Sequence, residues 1–190
     1  MSRGLGDVYK RQLENGAKAG KPVILDADGL NILAMHPQWM KFLGEQTILT
    51  PHMGEMSRLC GLDVSELKED PVARAYQYAE KSGGVLVLKD ACTVVTDQNE
   101  KLYLNLSGNS GMATAGSGDV LSGIIAAVLC MYLSCEEEQE LSYKAALAVY
   151  IHGLCGDIAR EKKGSHGMTA KDMIEALPEV LKLAEVQSKG

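Results

Sequence analysis

The chain is 190 residues long, 46% hydrophobic and 23% charged, with a formal net charge of −6 at pH 7. That is enough apolar content for one globular domain with a sizeable core, and the negative charge argues against nucleic acid or an anionic membrane surface as a partner. Five cysteines, at 60, 92, 130, 135 and 155, form no Cys-x-x-Cys pair. They suggest neither a disulfide framework nor a zinc site and fit a reduced, cytoplasmic setting, with Cys130 and Cys155 as core filler.

Residues 1–12, MSRGLGDVYKRQ, carry charges but no apolar segment, so no signal peptide is read there. The string resembles translated adapter sequence, and the fold is expected to be a single, partial domain over 13–190. PVILDA is a buried strand, a helix containing Pro37 and Trp39 follows, and TILTP is a second strand. Asp70-Pro71 opens a helix, with Asp as cap and Pro at its first position, and the helix stops at Gly83-Gly84. VLVLK, TVVTD and KLYLNL are three short strands, the last two a hairpin around Asp97 to Lys101. Helices follow over 119–133, 138–162 and 170–186, the last introduced by Thr169 and Asp172 at capping-box spacing. The acidic run EEEQE at 136–140 reads as a solvated helix start, and KKGSHG at 162–167 as a loop. The longest apolar run, near 120–133, is broken by Ser122 and Gly123 and falls short of the about 20 residues that span a bilayer. Strands alternating with helices make the class α/β.

The most informative stretch is Asn109 to Leu121, NSGMATAGSGDVL. A strand in which Leu102, Leu104 and Leu106 alternate with less apolar residues leads into it, and the apolar helix VLSGIIAAVLCMYL leaves it. Glycines at 111, 116 and 118 before a helix start, with its unpaired N–H groups and positive dipole end, describe an anion site, most naturally for phosphate. No Lys-Ser or Lys-Thr follows the glycines and no GxGxxG is present, so this is neither common nucleotide loop. Asp119 stands there instead. Like charges 4 Å apart repel by about 4 kcal/mol at an effective dielectric of 20, whereas a helix terminus returns about 0.3–1 kcal/mol. An aspartate kept beside a phosphate is therefore either a helix cap or a general base that takes a proton from an attacking hydroxyl.

GMATAGSGDVLSG resembles the nucleotide and anion-hole signature of the ribokinase-like superfamily. VILDADGLNIL at 23–33, TPHMGE at 50–55, LVLKDACTVV at 86–95 and VYIHGLCGDIARE at 149–161 narrow the resemblance to the NAD(P)H-hydrate dehydratases, over about Pro22 to Pro178. It implies a three-layer α/β/α fold with a mainly parallel sheet, lacking the family's N-terminal strand-helix units. It also implies a lyase that phosphorylates the 6-hydroxyl of NAD(P)H hydrate from ADP or ATP with Mg2+ and then eliminates phosphate. Functional pairing with an NAD(P)H-hydrate epimerase goes with that role, and a homo-oligomer is compatible with it.

The resemblance gives roles to particular residues, each beside a plainer one. Asp119 is the base and also touches substrate; the amides from Gly116 through Gly118 to Asp119 hold the transferred phosphate. His52, otherwise a structural strand-end histidine, contacts the hydrate, where related vitamin kinases tend to carry asparagine. Glu55, otherwise solvated surface, helps place magnesium. Lys89, otherwise an ordinary strand-end lysine, contacts the nucleotide together with Asp90, Ala91, Cys92 and Thr93. Asp90 replaces the family's usual glycine and adds a negative charge. Asp26 reads as a strand end, Asp28-Gly29 as a turn, and His152 as a satisfied core histidine. A kinase that stops at its phosphorylated product and an inactive nucleotide-binding fragment are the competing readings.

Overall fold

Residues 3–132 and 139–187 are described by the computed structural model, and they divide into two compact units. The first runs to Leu104 and includes Glu140–Ala145; the second holds Asn105–Gln139 and the chain from Ala146 onward. Leu133, the last residue of the helix expected over 119–133, Cys135, and residues 136–138 of the acidic run lie outside the described residues.

The first unit opens with helix α1 (Arg3–Ala19), which crosses residue 12 without a break and buries Leu13. Strand β1 (Val23–Leu25) and helix α2 (Asp28–Met35) follow. The expected helix through Pro37 and Trp39 is in fact two pieces, α2 and a 3-10 turn over Pro37–Phe42. Pro37 has no N–H for the ladder and drives the preceding residue out of the helical region; His36 sits at φ −130°, ψ 63°. Asp28 and Gly29, expected in a turn, form the first turn of α2.

Strand β2 (Thr47–Leu49) leads to α3 (Met53–Cys60) and α4 (Val64–Glu69). Helix α5 (Pro71–Ser82) begins as its sequence dictates, with the Ala73 N–H donating to Asp70 Oδ1 at 2.9 Å. Strands β3 (Val85–Leu88), β4 (Thr93–Thr96) and β5 (Leu102–Asn105) complete a sheet of order β1-β2-β3-β4-β5. β1, β2 and β3 are parallel, and β4 runs antiparallel to β3. Asp97 Oδ1 accepts the N–H groups of Asn99 and Lys101 and shapes the turn before β5.

β2 and β3 are buried along their whole length, as apolar strands between covered faces must be. Leu30, Leu33, Leu49, Met56, Leu67, Leu86 and Leu88 fill the core of this unit. β5 differs: its leucine alternation is real, but Leu102 and Leu104 are half exposed.

The second unit holds a 3-10 turn (Ser110–Met112), α6 (Ser117–Tyr132), α7 (Leu141–Lys163) from Ala146 onward, and α8 (Ala170–Gln187). Its core joins Cys155, Ala159, Met168, Met173, Ala176 and Val180. α6 buries Leu121, Ile124, Ile125, Val128 and Leu129, a helical stripe that leaves residue 130 on the opposite side. Cys130 is accordingly exposed and is not core filler, whereas Cys155 is fully buried. Thr169 donates both its N–H and its hydroxyl to Asp172 Oδ2, each at 2.8 Å, so the expected cap of α8 is present. No helix among the described residues is long and apolar enough to cross a membrane.

Candidate active site

In the first unit, β1, β2 and β3 are parallel neighbours, so their carboxyl ends fall on one edge of the sheet, where open α/β sheets place ligands. Asp26 follows β1, His52 lies three residues beyond β2, and Lys89 follows β3. His52 and Lys89 form a parallel bridge, and the Lys89 N–H donates to Pro51 O at 2.8 Å. Lys89 Nζ reaches across to Asp26 Oδ1 at 2.9 Å, with both side chains at least four-fifths buried. The same Asp26 oxygen accepts the Ala27 N–H at 2.9 Å. Ala27 carries φ 47°, a left-handed conformation that is strained for a residue with a Cβ.

His52 and Glu55 are locked together at the start of α3. His52 is the residue before α3, and its Nδ1 accepts the N–H groups of Gly54 at 2.9 Å and Glu55 at 3.3 Å. Glu55 Oε2 reaches back to the His52 N–H at 2.9 Å, a capping box with imidazole in the place of a hydroxyl. With Nδ1 accepting, the ring proton is on Nε2, which lies 3.5 Å from Glu55 Oε1. Glu55 is only 6% exposed, so it is not solvated surface; the His52 side chain stays half exposed.

Lys89 to Thr93 is the connection between β3 and β4, ending in the first residue of β4. Asp90 does not need glycine's backbone: among the described residues, positive φ at a non-glycine occurs at Ala27 and Glu100. Asp90 and Ala91 are exposed, Cys92 and Thr93 partly so.

In the second unit the glycine loop enters α6 as the sequence requires. Gly116 has φ 86°, which a side chain would resist, and its carbonyl accepts the Val120 N–H at 3.0 Å. The Ser117 N–H turns back to Thr114 O at 3.2 Å. Helix geometry leaves the N–H groups of Gly118 and Asp119 outside the helical ladder, and Asp119, third residue of α6, is exposed. His152, 8% exposed, places Nε2 3.1 Å from Ser117 O; a carbonyl only accepts, so Nε2 carries the proton. It is a satisfied histidine, as expected.

Two groups escaped the reading of the sequence. Asp26 holds Lys89 across 63 residues, a pairing no local pattern announces. Asp157, on α7, accepts the Gly108 N–H on Oδ2 at 2.9 Å and Asn109 Nδ2 on Oδ1 at 3.0 Å. Its signal was present in HGLCGD, where small residues at 153 and 156 accompany polar ones at 152 and 157 on one helical face.

The sequence model of the NAD(P)H-hydrate dehydratase family matches residues 2–179. A bifunctional NAD(P)H-hydrate repair enzyme of Thermofilum pendens is 44% identical over 162 residues, 85% of this chain and 30% of that protein. The solved ADP/ATP-dependent NAD(P)H-hydrate dehydratase of Bacillus subtilis, co-crystallised with ATP/Mg2+, is 34% identical with a TM-score of 0.68, over 85% of this chain and 56% of that one. A ribokinase-like superfamily protein of Enterococcus faecalis gives a TM-score of 0.75 at 26% identity, over 96% of this chain and 59% of that one. The chain thus spans about a third to three-fifths of the length of these relatives. Its fold is ribokinase-like, and with the family match running over nearly all of its residues, the chain belongs to the NAD(P)H-hydrate dehydratase family.

Proposed function

We propose that the chain serves the repair of reduced nicotinamide cofactors, dehydrating NAD(P)H hydrate at the expense of ADP or ATP. The observation that carries this reading is Asp119 in the first turn of α6, directly behind Gly116 in its left-handed conformation. A carboxylate among N–H groups that face outward from a helix start suits a base next to a phosphoryl acceptor.

Hydroxide is a poor leaving group, so the 6-hydroxyl is phosphorylated first. Its oxygen attacks the terminal phosphorus of the nucleotide, its proton passes to Asp119, and the bond from that phosphorus to the bridging oxygen breaks. The amides of Gly116 to Asp119 receive the transferred phosphoryl group. Phosphate then leaves, pushed by the ring nitrogen lone pair, and loss of the neighbouring C–H proton restores the ring double bond.

On the first unit, the Lys89 to Thr93 turn is assigned to the nucleotide, with the lysine ammonium offsetting phosphate charge. His52 is assigned to the hydrate, through the half-exposed imidazole that its cap holds in one orientation. Oxygen donors suit magnesium; Glu55 Oε2 is committed to the His52 N–H, which leaves Oε1 as the oxygen to hold a magnesium-bound water. Bound there, the metal would offset phosphate charge. An NAD(P)H-hydrate epimerase is the functional partner, since hydration of the ring creates a stereocentre and repair must clear both epimers, and the cytoplasm is assigned as the compartment.

Asp119→Asn keeps the side chain's shape at the third position of α6 and removes the base, so ADP-dependent regeneration of NADH from its hydrate should fall about 100- to 10,000-fold. ADP binding should persist or tighten, because a repelling charge has gone. Near-normal turnover in the variant would reduce Asp119 to a favourable charge in the first turn of α6, and accumulation of a stable phosphorylated product by the unsubstituted chain would show a kinase instead.

A further inference from the structure

We propose that Asp157, acting through Asn109, is the positioning residue that sets the anion-binding turn before α6. The inference rests on the functional reading above and extends it to a helix that reading leaves unused. Asp157 accepts from the Gly108 N–H and from Asn109 Nδ2, so both carboxylate oxygens point at the start of the glycine loop. Asn109 passes the constraint on: its Oδ1 accepts the Gly111 N–H at 3.0 Å, and its carbonyl accepts the Met112 N–H at 3.0 Å. One carboxylate therefore governs residues 108 to 112 through a chain of hydrogen bonds with a fixed direction.

The face of α7 that carries Asp157 is shaped for this loop. A Cβ at Gly153 would overlap the backbone of Ser107, so glycine is required there, and one at Gly156 would displace the Met112 side chain; the two glycines let the helix lie flush against residues 107 to 112. Ser107 Oγ lies 3.2 Å from Tyr150 O as well as 2.8 Å from Asn105 Oδ1, which fixes the loop at its entry. One turn back on α7, His152 holds Ser117 O, the first residue of α6. The segment from 107 to 117 is thus tied to one helix at three levels: Tyr150, His152 and Asp157. Lone backbone amides bind a phosphoryl group only if they converge, and a 1 Å error in such placement costs about 100-fold in rate.

The direction of the hydrogen bonds supplies a specific test. In Asp157→Asn, the new amide can accept from Gly108 but then presents an N–H2 group to Asn109 Nδ2, donor against donor; flipping Asn109 only moves the conflict to the Gly111 N–H. Asn109→Asp in the same chain removes the conflict, because an aspartate at 109 accepts from both neighbours. We expect Asp157→Asn to lower turnover about 100-fold and to weaken ADP binding, with little change in the KM for the hydrate or in melting temperature. The double substitution should restore most of the loss, which a residue needed only for stability would not do. Amide hydrogen exchange, read on the same chains without ligand, should show Gly111 losing protection in the single variant and regaining it in the double. ADP affinity and exchange unchanged in Asp157→Asn would overturn the proposal. If the unsubstituted chain neither binds ADP nor turns over hydrate, the functional reading fails, and the exchange experiment alone decides whether Asp157 sets the turn.

Discussion

Lys89 Nζ sits 2.9 Å from Asp26 Oδ1, an ion pair that closes over the carboxyl ends of β1 and β3 with β2 between them. The Asp26 oxygen that takes this ammonium also holds the N–H of Ala27, the residue with φ 47°. A cation assigned to phosphate is therefore aimed by a carboxylate that also braces a strained turn.

Lys89→Ala leaves that carboxylate largely buried without its cation, and should cost on the order of 1–3 kcal/mol in urea unfolding. Calorimetric titration of the variant should show weakened ADP binding with hydrate binding retained. Equal losses for both ligands would mean that the residue does not serve the nucleotide.

His52→Ala removes both the cap of α3 and the imidazole, and should cost about 0.5–2 kcal/mol of stability together with hydrate affinity. His52→Asn keeps an acceptor for the Gly54 and Glu55 N–H groups and should melt close to the parent chain, yet still bind hydrate poorly. A variant with asparagine that binds hydrate normally would confine His52 to its capping role.

The pair Thr169 and Asp172 gives α8 a pH dependence of known sign. Hydrogen bonds from the Thr169 hydroxyl and N–H hold the Asp172 carboxyl below its usual value of 3.8. A depressed folded pKa contributes stability that is present above the unfolded value and is lost as pH falls through the folded one. Acid unfolding followed by circular dichroism should therefore show less loss below pH 3.8 in Asp172→Asn than in the parent, starting from a less stable molecule at neutral pH.

Burial pushes the Cys155 thiol up to about 11, and the side chain is wholly enclosed, whereas Cys130 is exposed on the outer face of α6. Alkylation at pH 8 with site-resolved mass spectrometry should label Cys130 rapidly and leave Cys155 unmodified until the chain is denatured. Labelling of Cys155 in the native protein would mean that the core of the second unit opens.

Local chemistry was legible in the residues themselves. Asp70-Pro71 started α5, Thr169 and Asp172 started α8, and the glycines before Asp119 announced a helix entry, because caps and turns are decided within three or four positions. The family was legible as well, since its motifs are short and contiguous. What the residues concealed was which side of an element meets another. Alternating leucines gave β5 its conformation but not its exposure, and an apolar helix sequence did not reveal that Cys130 faces outward. Asp26 with Lys89, and Asp157 with Gly108 and Asn109, meet across 48 to 63 positions, where no periodicity operates. Those contacts exist only because sheet order and helix packing bring distant segments together, and so tertiary structure alone decided how the residues assigned to chemistry are held.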